Sequence, residues 1–212
     1  ELSAVAEPSN REPETRKGSR TRERIFDAAV EEFSEHGYAG ARIERIAHLA
    51  GINKQRIYAY FGDKEGLFVE VWQQTSSLIE EEDQALLSLG SEHIADLGEI
   101  LLGRYMRFHE EHPRFWRIFV LENLMGSRRH QRARHGKPYA HVRELYEAGQ
   151  RRGIYDVEVS FESFLYVLIA VTFFYASNRK TMSDTLGIDL SRPEVKDRLF
   201  SEIRRLLFGV GT

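Results

Sequence analysis

The chain has 212 residues, 42% hydrophobic and 30% charged, with a formal charge of −3 and no cysteine. That length holds one large or two small domains, and the missing cysteine excludes disulfides, zinc fingers and cysteine nucleophiles and fits a reducing compartment. No apolar run reaches the ~18–20 residues of a membrane span, and residues 8–22 are too polar for a signal-peptide core, so a soluble, cytoplasmic chain outside the membrane is expected. Residues 1–18 carry Pro8, Pro13 and alternating charges without apolar periodicity, which predicts a disordered basic and polar arm.

The remainder reads as all-α. A first helix is predicted over 19–36, capped by Ser19 or Thr21 and ended by Gly37, with Ile25, Ala28, Ala29 and Phe33 on one face. Two short helices follow, 43–50 and 54–60, separated by Gly51, Ile52 and Asn53, where Asn53 is a good N-cap. Asp63 caps a long helix over 64–88. Longer helices are expected over 92–110, 113–125, 138–152, 158–178 and 193–208. Pro113, Pro138 and Pro193 suit first turns, where the missing N–H costs nothing.

The two short helices and their tight glycine turn form a helix-turn-helix pattern, a shape that offers the first residues of its second helix to the DNA major groove. An ordinary helical hairpin has the same spacing. Charge adds a second hint: residues 16–64 hold ten lysines and arginines against seven acids, and residues 65–212 hold nineteen against twenty-two. A basic module on an acidic body suits a DNA-binding head.

Three stretches carry a more specific signal: residues 22–38 (RERIFDAAVEEFSEHGY), 43–52 (IERIAHLAGI) and 57–67 (IYAYFGDKEGL). Together they resemble the DNA-binding region of the TetR-type transcriptional regulators. The resemblance implies an N-terminal three-helix reading head over 19–63 and a larger helical ligand-binding and dimerisation bundle over 64–212, about nine helices in all. The sequence departs from the family where two threonines often precede the second helix, since Ala41 and Arg42 stand there. It departs again at the recognition helix, which opens on Asn53, Lys54, Gln55 and Arg56. Gln pairs bidentately with adenine and Arg with guanine, so Gln55 and Arg56 are the expected base readers. Arg42, Lys54 and Lys64 are expected on phosphates. By resemblance, Tyr58 faces the groove, and Tyr60 packs or touches phosphate. Arg16, Lys17, Arg20 and Arg22 form a basic arm able to follow the DNA backbone or to stay in solvent.

The body has no P-loop, G-x-S-x-G, H-E-x-x-H or G-x-G-x-x-G signature, so neither an enzyme nor a bound cofactor is expected. His109 and His112 stand three apart, but Pro113, next in the chain, separates their helices, and no acidic cluster completes a metal site. Aromatic residues are spread over five helices, with Arg104, His109, Glu122, Asn123, Thr172 and Asn178 embedded among them. Trp72, Tyr105, His109, Trp116, Glu122, Asn123, Tyr166 and Thr172 are the candidate ligand-binding residues, with plain core packing as the alternative for each. Pairs such as His112-Pro113 and Glu122-Asn123, with residues 174–178 (FYASN), also resemble a TetR subgroup that often regulates catabolism of aromatic or nitrogen-heterocyclic acids. A carboxylate on such an effector would meet Arg104 or His109. The run 127–137, with five fixed positive charges and no acid, is able to draw in an anion or simply to be solvated.

Two apolar stripes, Phe161, Phe164, Leu165, Leu168, Ile169, Thr172 and Ala176, then Val195, Leu199, Ile203, Leu206 and Leu207, predict a four-helix bundle between two subunits. The expected protein is therefore a homodimeric regulator, a repressor released from a palindromic double-stranded DNA operator by a small effector. A DNA-binding architectural or interaction protein without an effector is the alternative.

Overall fold

The computed structural model describes residues 16–125 and 137–208. Among them are nine α-helices and no strand. The chain divides after Trp72 into two compact units, so residues 64–72 group with the first unit rather than with the body. The expected disordered arm lies outside the described residues up to position 15, as does the basic run up to position 136.

In the first unit, helix α1 spans Arg16–Gly40 with a break at Gly37, whose φ of 62° and ψ of 177° suit glycine alone. Neither Ser19 nor Thr21 caps it, because the helix begins earlier. Ser19 Oγ instead donates to Glu23 Oε1 one turn on, and Thr21 is buried. Helix α2, Ile43–Ala50, buries Ile43, Ile46, Ala47 and Ala50, and ends at Gly51 in the left-handed region. Helix α3, Lys54–Phe61, starts where the Asn53 side chain accepts the Arg56 N–H at 3.1 Å. Helix α4, Lys64–Gln84, is capped by Asp63, whose Oδ1 accepts the Gly66 N–H at 2.8 Å. Ile25, Phe33, Ile46, Ile57, Leu67 and Phe68 fill the core of this unit. Phe33 meets the edge of Phe68 at 4.9 Å between ring centroids.

The second unit begins with the end of α4, which tightens into a 3-10 turn at Ala85–Ser88 instead of continuing as an α-helix to residue 88. The expected helix over 92–110 is likewise split into a short 3-10 turn, Ser91–His93, and helix α5, Leu97–Glu111. Helices α6 (Pro113–Leu124), α7 (Lys137–Arg151), α8 (Phe161–Leu186) and α9 (Pro193–Phe208) complete it. Helix α8 runs eight residues past its expected end, because nothing between Arg179 and Leu186 breaks a helix before Gly187. Its inner face packs chiefly on α5. Three tyrosine hydroxyls tie loops to this core: Tyr146 donates to Val159 O, Tyr155 to Ile94 O and Tyr175 to Leu190 O.

The stripe expected to join two subunits is mostly internal. Phe161, Leu168 and Thr172 are buried within the chain, and Phe164 and Leu165 pack against the same core, as do Val195 and Leu199 of α9. A second apolar stripe of α8 is exposed: Tyr166, Val167, Ile169 and Phe174. With apolar residues on both sides, α8 is by length and composition apolar enough to cross a membrane, and 22% of its most apolar stretch is buried in this chain.

Candidate functional site

The reading motif is held from behind by α1. Glu32, 2% exposed, accepts the Arg42 N–H at 2.8 Å and Arg45 Nε at 2.7 Å, which fastens the start of α2. Burial alone would raise the Glu32 carboxyl. The hydrogen bonds from Arg45 and Arg42, together with the Arg45 charge, outweigh it and hold the group below its ordinary range. At the other end of α2, Arg24 Nη2 donates to Ala50 O at 2.5 Å. An acid at the helix N-terminus and an arginine at its C-terminal carbonyls both complement the helix dipole. The sequence reading missed Glu32 and Arg24; a glutamate in the middle of an otherwise buried helical face was the available signal.

Helix α3 turns Ile57 and Phe61 inward, and its first turn is fully displayed: Lys54, Gln55 and Arg56 are all exposed. Lys54 Nζ lies 3.5 Å from Glu44 Oε1, a loose surface pair. Tyr58 is exposed and Tyr60 half-buried, with its ring 6.3 Å from that of Phe61. Arg42 is exposed at the N-cap of α2. Lys64, at the first position of α4, sits 4.6 Å above the Tyr38 ring. Of the basic arm, Arg20 is exposed, whereas Arg22 is engaged by Glu70 and lies 5.2 Å from the Phe61 ring, so it braces the unit.

The second unit holds a cavity of about 610 Å³, within the size of small-ligand sites. Tyr105, His109, Trp116 and Asn123 line it, four of the eight candidate ligand residues. The other four lie elsewhere. Trp72 belongs to the first unit, with its ring 6.5 Å from Phe68. Glu122 is buried but off the cavity wall. Tyr166 is 74% exposed on the outer stripe of α8. Thr172 is fully buried, and its hydroxyl donates to Leu168 O and Ile169 O in the preceding turn. Helical periodicity shows that a residue is on an apolar stripe, not which stripe faces a void.

The wall contains residues that the sequence did not single out as ligand contacts, among them Asp83, Tyr139, Arg143, Glu162 and Phe173. His109, Trp116 and Phe173 form an edge-to-face aromatic cluster, with centroids 5.7 to 6.2 Å apart. Trp116 Nε1 donates to His109 O, which locks α6 against α5. Burial pulls the His109 imidazole down to about 4, so it is neutral at physiological pH. Burial pushes the Tyr105 phenol up to about 12, and also raises Tyr139, whose hydroxyl bonds to Asp83. One helical turn from Tyr105, whose hydroxyl faces that of Tyr139, His109 Nδ1 is buried without a hydrogen-bond partner. Both arginines on the wall are already paired: Arg104 Nη2 with Glu82 Oε2 at 2.9 Å, and Arg143 Nη2 with Glu162 Oε1 at 2.5 Å. No group of three or more metal-ligating side chains occurs among the described residues.

Residues 25–71 match the family model described as bacterial regulatory proteins of the tetR family, and residues 99–206 match that of the tetracyclin repressor-like C-terminal domain. The chain is 34% identical over 188 residues to the HTH-type transcriptional repressor NicS of Pseudomonas putida, covering 85% of this chain and 87% of that one. It is 34% identical over 156 residues to the HTH-type transcriptional repressor SCO4008 of Streptomyces coelicolor, covering 71% and 76%. Among solved structures, the putative transcriptional regulator SCO4942 of Streptomyces coelicolor superposes with a TM-score of 0.66 at 26% identity, over 88% of this chain and 97% of the other. A reading head with an exposed first turn on α3, the two matched domains and these relatives together establish that the chain belongs to the TetR family of DNA-binding transcriptional regulators.

Proposed function

We propose that the protein is a homodimeric, ligand-responsive repressor, released from a palindromic operator when a small aromatic or heterocyclic effector fills the cavity of its second unit. The observation that carries the effector-responsive part is that cavity, aromatic in lining and holding a buried polar atom without a partner, His109 Nδ1. Repression is supported by NicS and SCO4008, both named repressors. Gln55 and Arg56 read bases, and Arg42, Lys54 and Lys64 bind phosphates. Tyr58 lies groove-side, and Tyr60 supports the helix from behind. A single reading motif needs doubling to span two half-sites one DNA turn apart. The exposed stripe of α8, with Leu206 and Leu207 of α9, supplies the apolar surface for a symmetric four-helix interface. A regulator of this kind works where the chromosome is, in the cytoplasm.

Release requires that the effector bind the DNA-incompetent state more tightly than the DNA-bound one. Fluorescence anisotropy with DNA flanking the protein's own gene tests it, first without additive and then across a panel of aromatic and heterocyclic compounds. Saturable release by one compound, lost in Trp116→Ala, is the expected result. Tight DNA binding that no compound in the panel weakens would overturn the effector-responsive reading.

A further inference from the structure

Helix α3 carries one exposed side chain with no polar atom, Ala59, in the middle of the surface it displays. Lys54, Gln55, Arg56 and Tyr58 are the other exposed side chains of the helix, and Ile57 and Phe61 are its buried ones. At about 100° per residue, the direction opposite the midpoint of Ile57 and Phe61 falls on Ala59. Gln55 lies about 40° to one side of that line and Arg56 about 60° to the other. Gln55 and Ala59 are four residues apart, so they stack into one ridge. That ridge is the part of α3 turned furthest from the core of the first unit.

The two members of the ridge differ in reach. Gln55 extends an amide that can pair with a base edge. Ala59 extends one methyl group and has no atom with which to hold a phosphate or a base donor. Flanked by Gln55 and Arg56, it leaves a notch through which the floor of the major groove can come close to the helix backbone. It also offers an apolar surface there, and the apolar group on the major-groove edge of the base pairs is the C5-methyl of thymine.

We infer that Ala59 is a further specificity-determining residue of the recognition helix, reading a thymine C5-methyl by direct contact within two base pairs of the adenine that Gln55 reads. The inference rests on the reading of α3 as the helix that enters the groove. The spacing follows from the helix: four residues rise about 6 Å, a little under two base-pair steps of about 3.4 Å. A longer side chain at this position would meet the groove floor first and hold Gln55 and Arg56 off their bases. Helix propensity alone would favour alanine at any exposed position of α3, and on that explanation DNA would be indifferent to the residue.

The test is a thymine-to-uracil scan of the DNA that the protein protects beside its own gene, read by fluorescence anisotropy. Uracil pairs as thymine does and lacks only the C5-methyl. Replacing one particular thymine in a half-site should weaken binding about fourfold, the worth of one buried methyl group, and replacing it in both half-sites about fifteenfold. Ala59→Ser should bring the single penalty below about twofold. Ala59→Leu, which keeps a good helix former at an exposed position, should weaken operator binding at least about tenfold and leave unrelated duplex within about twofold. Three results would overturn the inference: no thymine whose methyl matters to the parent, a uracil penalty that survives in full in Ala59→Ser, or an Ala59→Leu variant that binds the operator as the parent does. Gln55→Ala separates this claim from the proposed function. Lost discrimination at an adenine in Gln55→Ala, with a flat uracil scan, makes Ala59 a bystander and leaves α3 as the reader. Base preference unchanged in both Gln55→Ala and Arg56→Ala removes α3 as the reader, and Ala59 with it.

Discussion

Replacing Glu32 should loosen the DNA-reading head without touching a DNA contact. Its carboxylate is almost fully buried and accepts the Arg42 N–H at 2.8 Å, one of the first amides of α2 that have no partner within the helix. A hydrogen bond from an amide to a charged acceptor contributes roughly 1.5–3 kcal/mol. The Arg45 end is exposed to solvent and adds little. Glu32→Ala should therefore destabilise the first unit by about 2 kcal/mol, and Glu32→Gln, which keeps an acceptor, by about half of that. Because the folded-state carboxyl titrates below its ordinary value of 4.5, its contribution is complete above that pH and is lost as pH falls through the lower folded value. The acid limb of the stability curve should be shallower in Glu32→Gln. Urea denaturation and amide exchange at Arg42 read both effects. A Glu32→Ala variant as stable as the parent, with Arg42 still protected, would refute the clamp.

Arg56→Ala should remove about 1–3 kcal/mol of base discrimination per half-site, and operator variants compared by anisotropy check it; an unchanged preference would make Arg56 a bystander. Lys64→Ala should weaken all duplexes alike and reduce the salt slope by about one for each phosphate no longer neutralised, and a sequence-selective loss would exclude a phosphate role. Glutamate at both Tyr166 and Phe174 should give monomers in sedimentation, since charge in an apolar seam costs several kcal/mol; an intact dimer would place the interface elsewhere. His109 has a folded pKa near 4 against an ordinary 6.5, so the unfolded chain binds a proton that the folded one refuses between those values. Stability should thus fall by ~2–3 kcal/mol as pH drops from 6.5 to 4, and His109→Phe should flatten that part of a thermal-melt series.

The reading head was legible in the sequence because local signals agree there. Asn53 caps α3, Gly51 takes the left-handed turn, and Ile43, Ile46, Ala47 and Ala50 repeat at helical spacing. The body was harder. Helix α8 has apolar residues all round, so its pattern gave a helix but not which stripe meets α5 and which is exposed, and Tyr166 and Thr172 were both assigned to a cavity that neither lines. The 3-10 turn at Ala85–Ser88 left no trace in the pattern, since Ala85, Leu86 and Leu87 fit an α-helix equally well. Tyr105, His109, Trp116 and Asn123, which line the cavity, stand out in the sequence because polar or amphipathic groups on apolar faces need a reason. Asp83 was missed because it closes a run of acids, Glu80 to Asp83, that reads as a solvated face.

The account stands most directly on a DNase footprint of the protein on the DNA flanking its own gene, run side by side with Arg56→Ala and with a compound that binds the cavity. The expected result is protection of two symmetric half-sites one helical turn apart, absent with Arg56→Ala and erased by the cavity ligand. Protection without two-fold symmetry, or a footprint that survives both perturbations unchanged, would contradict it.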